Sequence, residues 1–346
     1  KVAQFEKQFA ELHNATHSLA VTSCTTGLHL ALAAMGIGPG DEVIVPAFTW
    51  VATANVVLYC GATPVFVDVS RDTFNMDPEL VAAKITERTK AIIPVHLFGL
   101  CADMDAINAA IPDYVKVLED AACAAGAMYK SKYAGTLGDA ASFSFHPRKS
   151  ITTGEGGMVT TDDNELAERM DQMRNHGATM SEEQRHHGPK PYVLPDFNLL
   201  GFNYRMTDLQ GAVGLVQLPK LEGFISERAK WAELYREHLS DIEWLRLPQE
   251  PSDGMHGWQS FVTYVDPVKA HISRNKIMEM LQEKGVSTRP GTHAVHMLGL
   301  YKDKYGIAEN DFPGARDCNN NTMAIPLHNR MTEEDYQYVV SCLKEV

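Results

Sequence analysis

Four kinds of feature are missing from or scarce in this 346-residue chain, and each argues against a class of protein. There is no uncharged apolar run of about 18 residues, so no membrane-spanning helix is expected. Positive charge is scarce: 31 lysines and arginines against 44 acids leave a net charge of −13. That balance argues against nucleic-acid binding, which needs many cations against phosphates, and any anionic ligand must be held by a local set of donors. The six cysteines, Cys24, Cys60, Cys101, Cys123, Cys318 and Cys342, include no C-x-x-C pair. Neither a metal site nor a disulfide framework is expected, and the pattern fits a reducing cytoplasm. No charged-then-apolar leader precedes the first helical pattern, so no signal peptide is expected either.

What is present is an alternation of short apolar runs and helical stretches. Val2, Phe5, Phe9 and Leu12 recur at helical spacing, so the chain opens in an amphipathic helix. Strands are expected at Ser18–Thr22, Glu42–Pro46, Pro64–Val69, Ala91–Leu97 and Val115–Glu119. Helices are expected at Thr26–Met35, Val51–Cys60, Pro78–Ile85 and Met104–Ala110, punctuated by Gly38-Pro39-Gly40 and Gly61-Ala62-Thr63-Pro64. Such alternation implies an α/β fold whose mainly parallel sheet is covered on both faces, with ligands beyond the carboxyl ends of the strands.

The length suits two domains, because single cores stop growing at roughly 250 to 300 residues. Asp208–Leu239 reads as a long helical connection broken near Pro219, and beyond it the texture changes to a strand at Phe261–Val265 and helices at Lys276–Lys284 and Thr332–Leu343. The division is placed between a large domain over residues 1–220 and a smaller α+β domain over 221–346. The polar stretch from Met180 to Pro195 is expected to loop over the site, with His186 and His187 as solvated loop residues.

One lysine stands out. Lys149 ends the run Ser142-Phe143-Ser144-Phe145-His146-Pro147-Arg148-Lys149 and is followed by the glycine-rich turn Thr152-Thr153-Gly154-Glu155-Gly156-Gly157. About thirty residues upstream, Glu119-Asp120 closes an apolar run. A lysine paired with such an acid points to pyridoxal 5'-phosphate (PLP): its aldehyde needs an amine for a Schiff base, and its ring needs a carboxylate to keep the pyridine nitrogen protonated.

Five segments make the chain resemble the DegT family of sugar aminotransferases over almost its whole length. They are Ser23-Cys24-Thr25-Thr26-Gly27-Leu28-His29-Leu30, Pro46-Ala47-Phe48-Thr49-Trp50-Val51-Ala52-Thr53, Glu119-Asp120-Ala121-Ala122-Cys123, the Ser142-to-Gly157 stretch, and Gly201-Phe202-Asn203-Tyr204-Arg205-Met206. Their order and spacing carry the likeness. It implies a PLP-dependent transferase of fold type I, with a mainly parallel seven-stranded sheet sandwiched by helices and a smaller C-terminal domain. It also implies that the family's short N-terminal segment ahead of Lys1 is absent.

The resemblance assigns the site residue by residue. Lys149 and Asp120 are the catalytic pair. Thr25, Thr26 and Ser144 contact the cofactor phosphate, Trp50 stacks on the pyridine ring, and Asn203 reaches the phosphate of a neighbouring subunit, which implies a homodimer with shared sites. Cys123 departs from the family, which commonly has Gln or His there to hydrogen-bond the phenolic oxygen; a thiol is the weaker donor. His96 and Gly99 match a P-x-H-x-x-G segment that packs near the sheet's carboxyl end.

The activity implied is amino transfer from an amino acid, L-glutamate by expectation, to a keto sugar, with pyridoxamine 5'-phosphate (PMP) as the intermediate form and cell-surface polysaccharide, lipopolysaccharide or deoxyaminosugar synthesis as the setting. A nucleotide-linked keto-deoxy sugar is the first expectation. The alternatives are a free acidic keto sugar of the octulosonate type, a sugar dehydratase, which would replace the lysine, and a non-catalytic regulatory protein. Arg148, Arg289, His293 and His296 are the candidate substrate residues, the last three within Arg289-Pro290-Gly291-Thr292-His293-Ala294-Val295-His296.

Overall fold

The computed structural model describes residues 1–180 and 192–346. Residues 181–191, which include His186 and His187 of the expected loop, lie outside the described residues.

A seven-stranded sheet dominates the fold: β1 (His17–Val21), β2 (Glu42–Pro46), β3 (Thr63–Val67), β4 (Thr89–Ile92), β5 (Lys116–Asp120), β6 (Ala140–Ser144) and β7 (Gly157–Thr161), in the order β1-β7-β6-β5-β4-β2-β3. Only β7 runs against its neighbours; the other four pairings are parallel. Strands buried on both faces explain the near-continuous apolar run of β2, every residue of which is buried. The expected strand over Ala91–Leu97 stops at Ile92, since Pro94 has no N–H to give the ladder.

Helices α1 (Val2–His13), α2 (Cys24–Ala34), α3 (Ala52–Tyr59), α4 (Met104–Ala110) and α5 (Asn164–Arg174) accompany the sheet. The expected helix over Pro78–Ile85 is instead two single 3-10 turns, Pro78–Leu80 and Ala82–Lys84. Of the residues spanning those turns only Val81 is buried, so no apolar stripe holds a longer helix in place. In α1, Phe5, Phe9 and His13 form the buried face. Phe9 meets Phe143 and Phe145 with ring centroids 5.0 and 5.6 Å away, which stiffens the strand leading to Lys149.

Helices α6 (Asp208–Gln217) and α7 (Leu221–Leu239) are separated by a 3-10 turn over Leu218–Lys220. A second sheet of β8 (Leu245–Arg246), β9 (Phe261–Val265) and β10 (Thr322–Ile325) is antiparallel throughout. With α7, α8 (Arg274–Glu283) and α11 (Glu333–Lys344) it encloses its own core around Trp231, Tyr235, Phe261, Leu281 and Tyr336; α9 (Gly299–Tyr305) and α10 (Pro313–Asn321) complete the chain. A two-residue ribbon, His293–Ala294 against Phe48–Thr49, ties this half to the end of β2. Among the described residues, no helix is long and apolar enough to cross a membrane.

Candidate active site

Four connections converge at the carboxyl edge of the large sheet, as the parallel topology requires. The β1–α2 turn supplies Ser23 to Thr25, the end of β5 supplies Asp120 and Cys123, the β6–β7 connection supplies Ser144 to Glu155, and the segment after β2 supplies Thr49 and Trp50. Together with Gln259, Ser260, Arg274, Arg289, His293 and Asn319 they line a cleft of about 720 Å³, a size that suits a cofactor and small substrate. Close approach of backbones shapes it. A Cβ on Gly157 would lie 2.5 Å from the Ser23 carbonyl carbon, so only glycine lets β7 start against the N-terminus of α2.

Asp120 sits at the floor, 5% exposed. Its Oδ2 accepts from Thr53 Oγ1 at 2.7 Å and its Oδ1 from the Ala122 amide at 3.2 Å. Thr53 is itself 3.1 Å from Thr49, so two threonines orient the carboxylate. Among the described residues Asp120 has no ion-pair partner. A carboxylate that faces the cleft with no ion-pair partner of its own fits the protonated nitrogen of a pyridine ring.

Lys149 lines the same cleft, half-buried, and its Nζ donates to Cys123 Sγ at 3.1 Å. Burial alone would lower its ammonium, but the neighbouring Cys123, Cys24 and Asp120 outweigh that and hold its pKa above the ordinary lysine value. Cys24 packs behind Asp120, its Sγ 3.9 Å from Oδ1 and 3.4 Å from the Ser142 carbonyl. Burial first and the Asp120 charge second push that thiol well above its usual range. One carboxylate and one amine facing the same cleft form the donor set that PLP needs.

Strand alternation explains the rest of β6. Phe143 and Phe145 face α1, while Ser142 and Ser144 face α2 and the cleft. Thr25 and Ser144 both line the cleft beside the first turn of α2, where the helix dipole favours a phosphate. Thr26 does not line it: its hydroxyl completes the capping box with Ser23, which is the N-cap. Trp50 stands at the rim, 60% exposed, with its ring 5.5 Å from His293. Arg148 and Arg289 are exposed and line the mouth. His296 is not brought to the cleft; it is buried against Phe312, with Nε2 3.2 Å from the Glu309 carbonyl. Asn203 is exposed and outside its own chain's cleft.

The sequence reading attached no role to Glu119, and it proves to be a buried hub. Its Oε1 accepts from the Leu137 and Gly138 amides at 2.7 and 2.9 Å, and its Oε2 accepts from Gly135 at 2.7 Å and His96 Nε2 at 2.9 Å. His96 Nδ1 accepts from the Ala102 amide, which leaves Nε2 to donate. The P-x-H-x-x-G segment thus braces the acid next to Asp120. Glu119→Ala is expected to cost about 3–5 kcal/mol, because four donors, those of Gly135 and His96 buried and those of Leu137 and Gly138 partly so, lose their acceptor at once. Denaturant unfolding checks this; a loss under 1 kcal/mol would contradict the assignment. Arg228 is a second such residue, carrying Ser150 (3.1 Å) and Asn329 (2.9 Å) on one buried guanidinium. Only contacts far apart in sequence identify it.

The DegT/DnrJ/EryC1/StrS aminotransferase family matches residues 1–344. This chain belongs to that family. It is 41% identical to the GDP-perosamine synthase of Caulobacter vibrioides, over all of this chain and 90% of that protein. It is 39% identical to the spore coat polysaccharide biosynthesis protein SpsC of Bacillus subtilis, over all of this chain and 89% of that one. Among solved structures, Spr1654 of Streptococcus pneumoniae superposes in its PMP form with a TM-score of 0.92 and in its PLP form with 0.90. Each match is 28% identical and spans 99% of this chain; the shares of the solved chains covered are 91% and 90%. The protein is therefore a PLP-dependent sugar aminotransferase of fold type I, and PLP is its cofactor. Its reaction takes an amino donor and a keto-sugar acceptor.

Proposed function

We propose that the chain moves an amino group from L-glutamate to a nucleotide-linked keto-deoxy sugar, in the cytoplasm, for a cell-surface polysaccharide or a deoxyaminosugar. When bound, PLP supplies an aldehyde that an amine can hold covalently and a ring that withdraws electrons from the reacting carbon. Lys149 Nζ holds the cofactor and, once released, moves the proton at the substrate carbon. Asp120, aimed by Thr53, keeps the ring nitrogen protonated. Thr25 and Ser144, with Thr26 through the helix terminus it caps, serve the phosphate, Trp50 covers the ring and excludes water, and Cys123 takes the place of the amide or imidazole near the phenolic oxygen.

The observation that carries the acceptor is a pair of guanidinium groups. Arg148 and Arg289 line the mouth of the cleft in a chain of net charge −13, and among the described residues neither forms an ion pair. Two uncommitted arginines beside His293 suit a diphosphate, and one relative is named for a GDP-linked sugar. A panel of keto sugars assayed with glutamate tests this. Nucleotide-linked ketones should turn over, with KM rising about tenfold or more in Arg289→Gln; turnover confined to a free acidic sugar overturns the nucleotide reading.

The working unit in this proposal is a homodimer. Asn203 lies outside its own cleft, and α6 leaves Leu209 and Val216 exposed near it, an apolar face that a second copy would cover. Mixed dimers of Lys149→Ala and severely defective Asn203 chains should regain activity, since one of the two sites then has both a normal lysine and a normal partner asparagine. No recovery despite demonstrated subunit exchange would remove Asn203 from the shared site. The division into a cofactor-binding domain over 1–220 and a small domain over 221–346 is part of the same proposal, supported by the Leu218–Lys220 turn and the separate core beyond it.

A further inference from the structure

The cleft holds a pair of nucleophiles that amino transfer does not require side by side. Lys149 Nζ and Cys123 Sγ are 3.1 Å apart, and both line the cleft, open to small solutes. Cys123 follows the end of β5 and Lys149 lies in the β6–β7 connection, and β5 and β6 are paired in parallel with Asp120 opposite Ser142. The paired ends of the two strands thus start the segments that carry Cys123 and Lys149 side by side.

We propose that Cys123 and Lys149 form a reversible oxidative cross-link in the cofactor-free protein, an S–N bond that blocks cofactor loading. The inference rests on Lys149 being the cofactor's anchor only for its consequence; the bond itself needs the contact alone. A hydroperoxide first oxidises the thiol: its terminal oxygen is transferred to sulfur, the O–O bond breaks, and sulfenic acid and water are formed from hydrogen peroxide. The free Nζ amine then attacks sulfur, the S–O bond breaks, and the hydroxyl leaves with an amine proton as a second water. Sulfur has lost two electrons, the peroxide has gained them, and the protein has lost two hydrogens. A thiol reductant restores both side chains by attacking the S–N bond and taking the oxidised state onto its own sulfurs. Cofactor held by Lys149 removes the amine from this reaction, so loaded protein is spared.

The test uses the full chain, with PLP bound and after its removal, treated with dilute hydrogen peroxide at mildly alkaline pH and read by intact mass and peptide mapping. The stripped protein should lose about 2 Da and yield a cross-linked peptide joining Cys123 to Lys149. It should fail to regain the visible absorption of added PLP until dithiothreitol is supplied. Cys123→Ser should show no mass loss, and Lys149→Arg should stop at the sulfenic acid, a gain of about 16 Da. Cys24 is the competing partner, because a Cys24–Cys123 disulfide has the same mass. Cys24→Ser must therefore retain the loss of about 2 Da. A cross-link to Cys24, or over-oxidation of Cys123 with no Lys149 peptide, overturns the proposal, whatever the fate of the aminotransferase reading.

Discussion

Lys149→Ala is expected to fold normally and to lose amino transfer by on the order of 10⁴-fold or more in kcat, because in the proposed mechanism a single amine both anchors the cofactor and moves the proton at the reacting carbon. The fold should survive because Lys149 is half-buried and its one side-chain partner is a thiol; no buried acid loses its counter-ion. Circular dichroism and the thermal midpoint would check folding, and single-turnover kinetics with glutamate would check the loss. A rate within tenfold of the parent would mean that another group carries the proton.

Asp120→Asn is expected to lower kcat on the order of 10²- to 10³-fold, the usual cost of removing a preorganised charge from a water-poor site. The new amide oxygen still accepts from the Ala122 N–H, while the Thr53 hydroxyl can turn to accept from the new NH2 group and donate to Thr49 Oγ1, so the pocket keeps its shape. What goes is the charge that, in the role proposed for Asp120, would keep the ring nitrogen protonated. Equilibrium PLP uptake should change far less than turnover, since Thr25 and Ser144 are untouched. Equal losses in both would reduce Asp120 to a structural acid.

The parts of this fold that are legible in sequence are those whose side chains alone report their burial. The Val-Ile-Val run of β2 and the Phe5 and Phe9 spacing of α1 read directly as buried strand and amphipathic helix. Strands β6 and β7 carried no such signal. Ala-Ala-Ser-Phe-Ser and Gly-Met-Val-Thr-Thr mix small and polar residues with apolar ones because one face lies under α2, where a Cβ on Gly27 would stand 2.3 Å from Ser142 Oγ. The same segment was nevertheless recognisable chemically, as the setting of Lys149.

At the cleft, the placing of Lys149, Asp120, Thr25 and Ser144 along its lining is legible because each ends or follows a strand. The hub at Glu119 and the Arg228 link were not, since their partners lie 16 to 101 residues away and no local pattern encodes the contact. His296 misled for the opposite reason: it sits three residues from His293 on a segment that does reach the cleft, but a 3-10 turn over Val295–Met297 carries its side chain inward. Thr26 is similar, a hydroxyl in the right motif that is spent on capping the helix.

The central claim is that Lys149 is the residue that holds PLP. Reduction of the loaded protein with borohydride, followed by tryptic digestion and mass spectrometry, measures this most directly. The account predicts one pyridoxyl-modified peptide with the label on Lys149, together with loss of the visible band. A label on any other lysine, or no covalent label in a protein that still transfers amino groups, would contradict it.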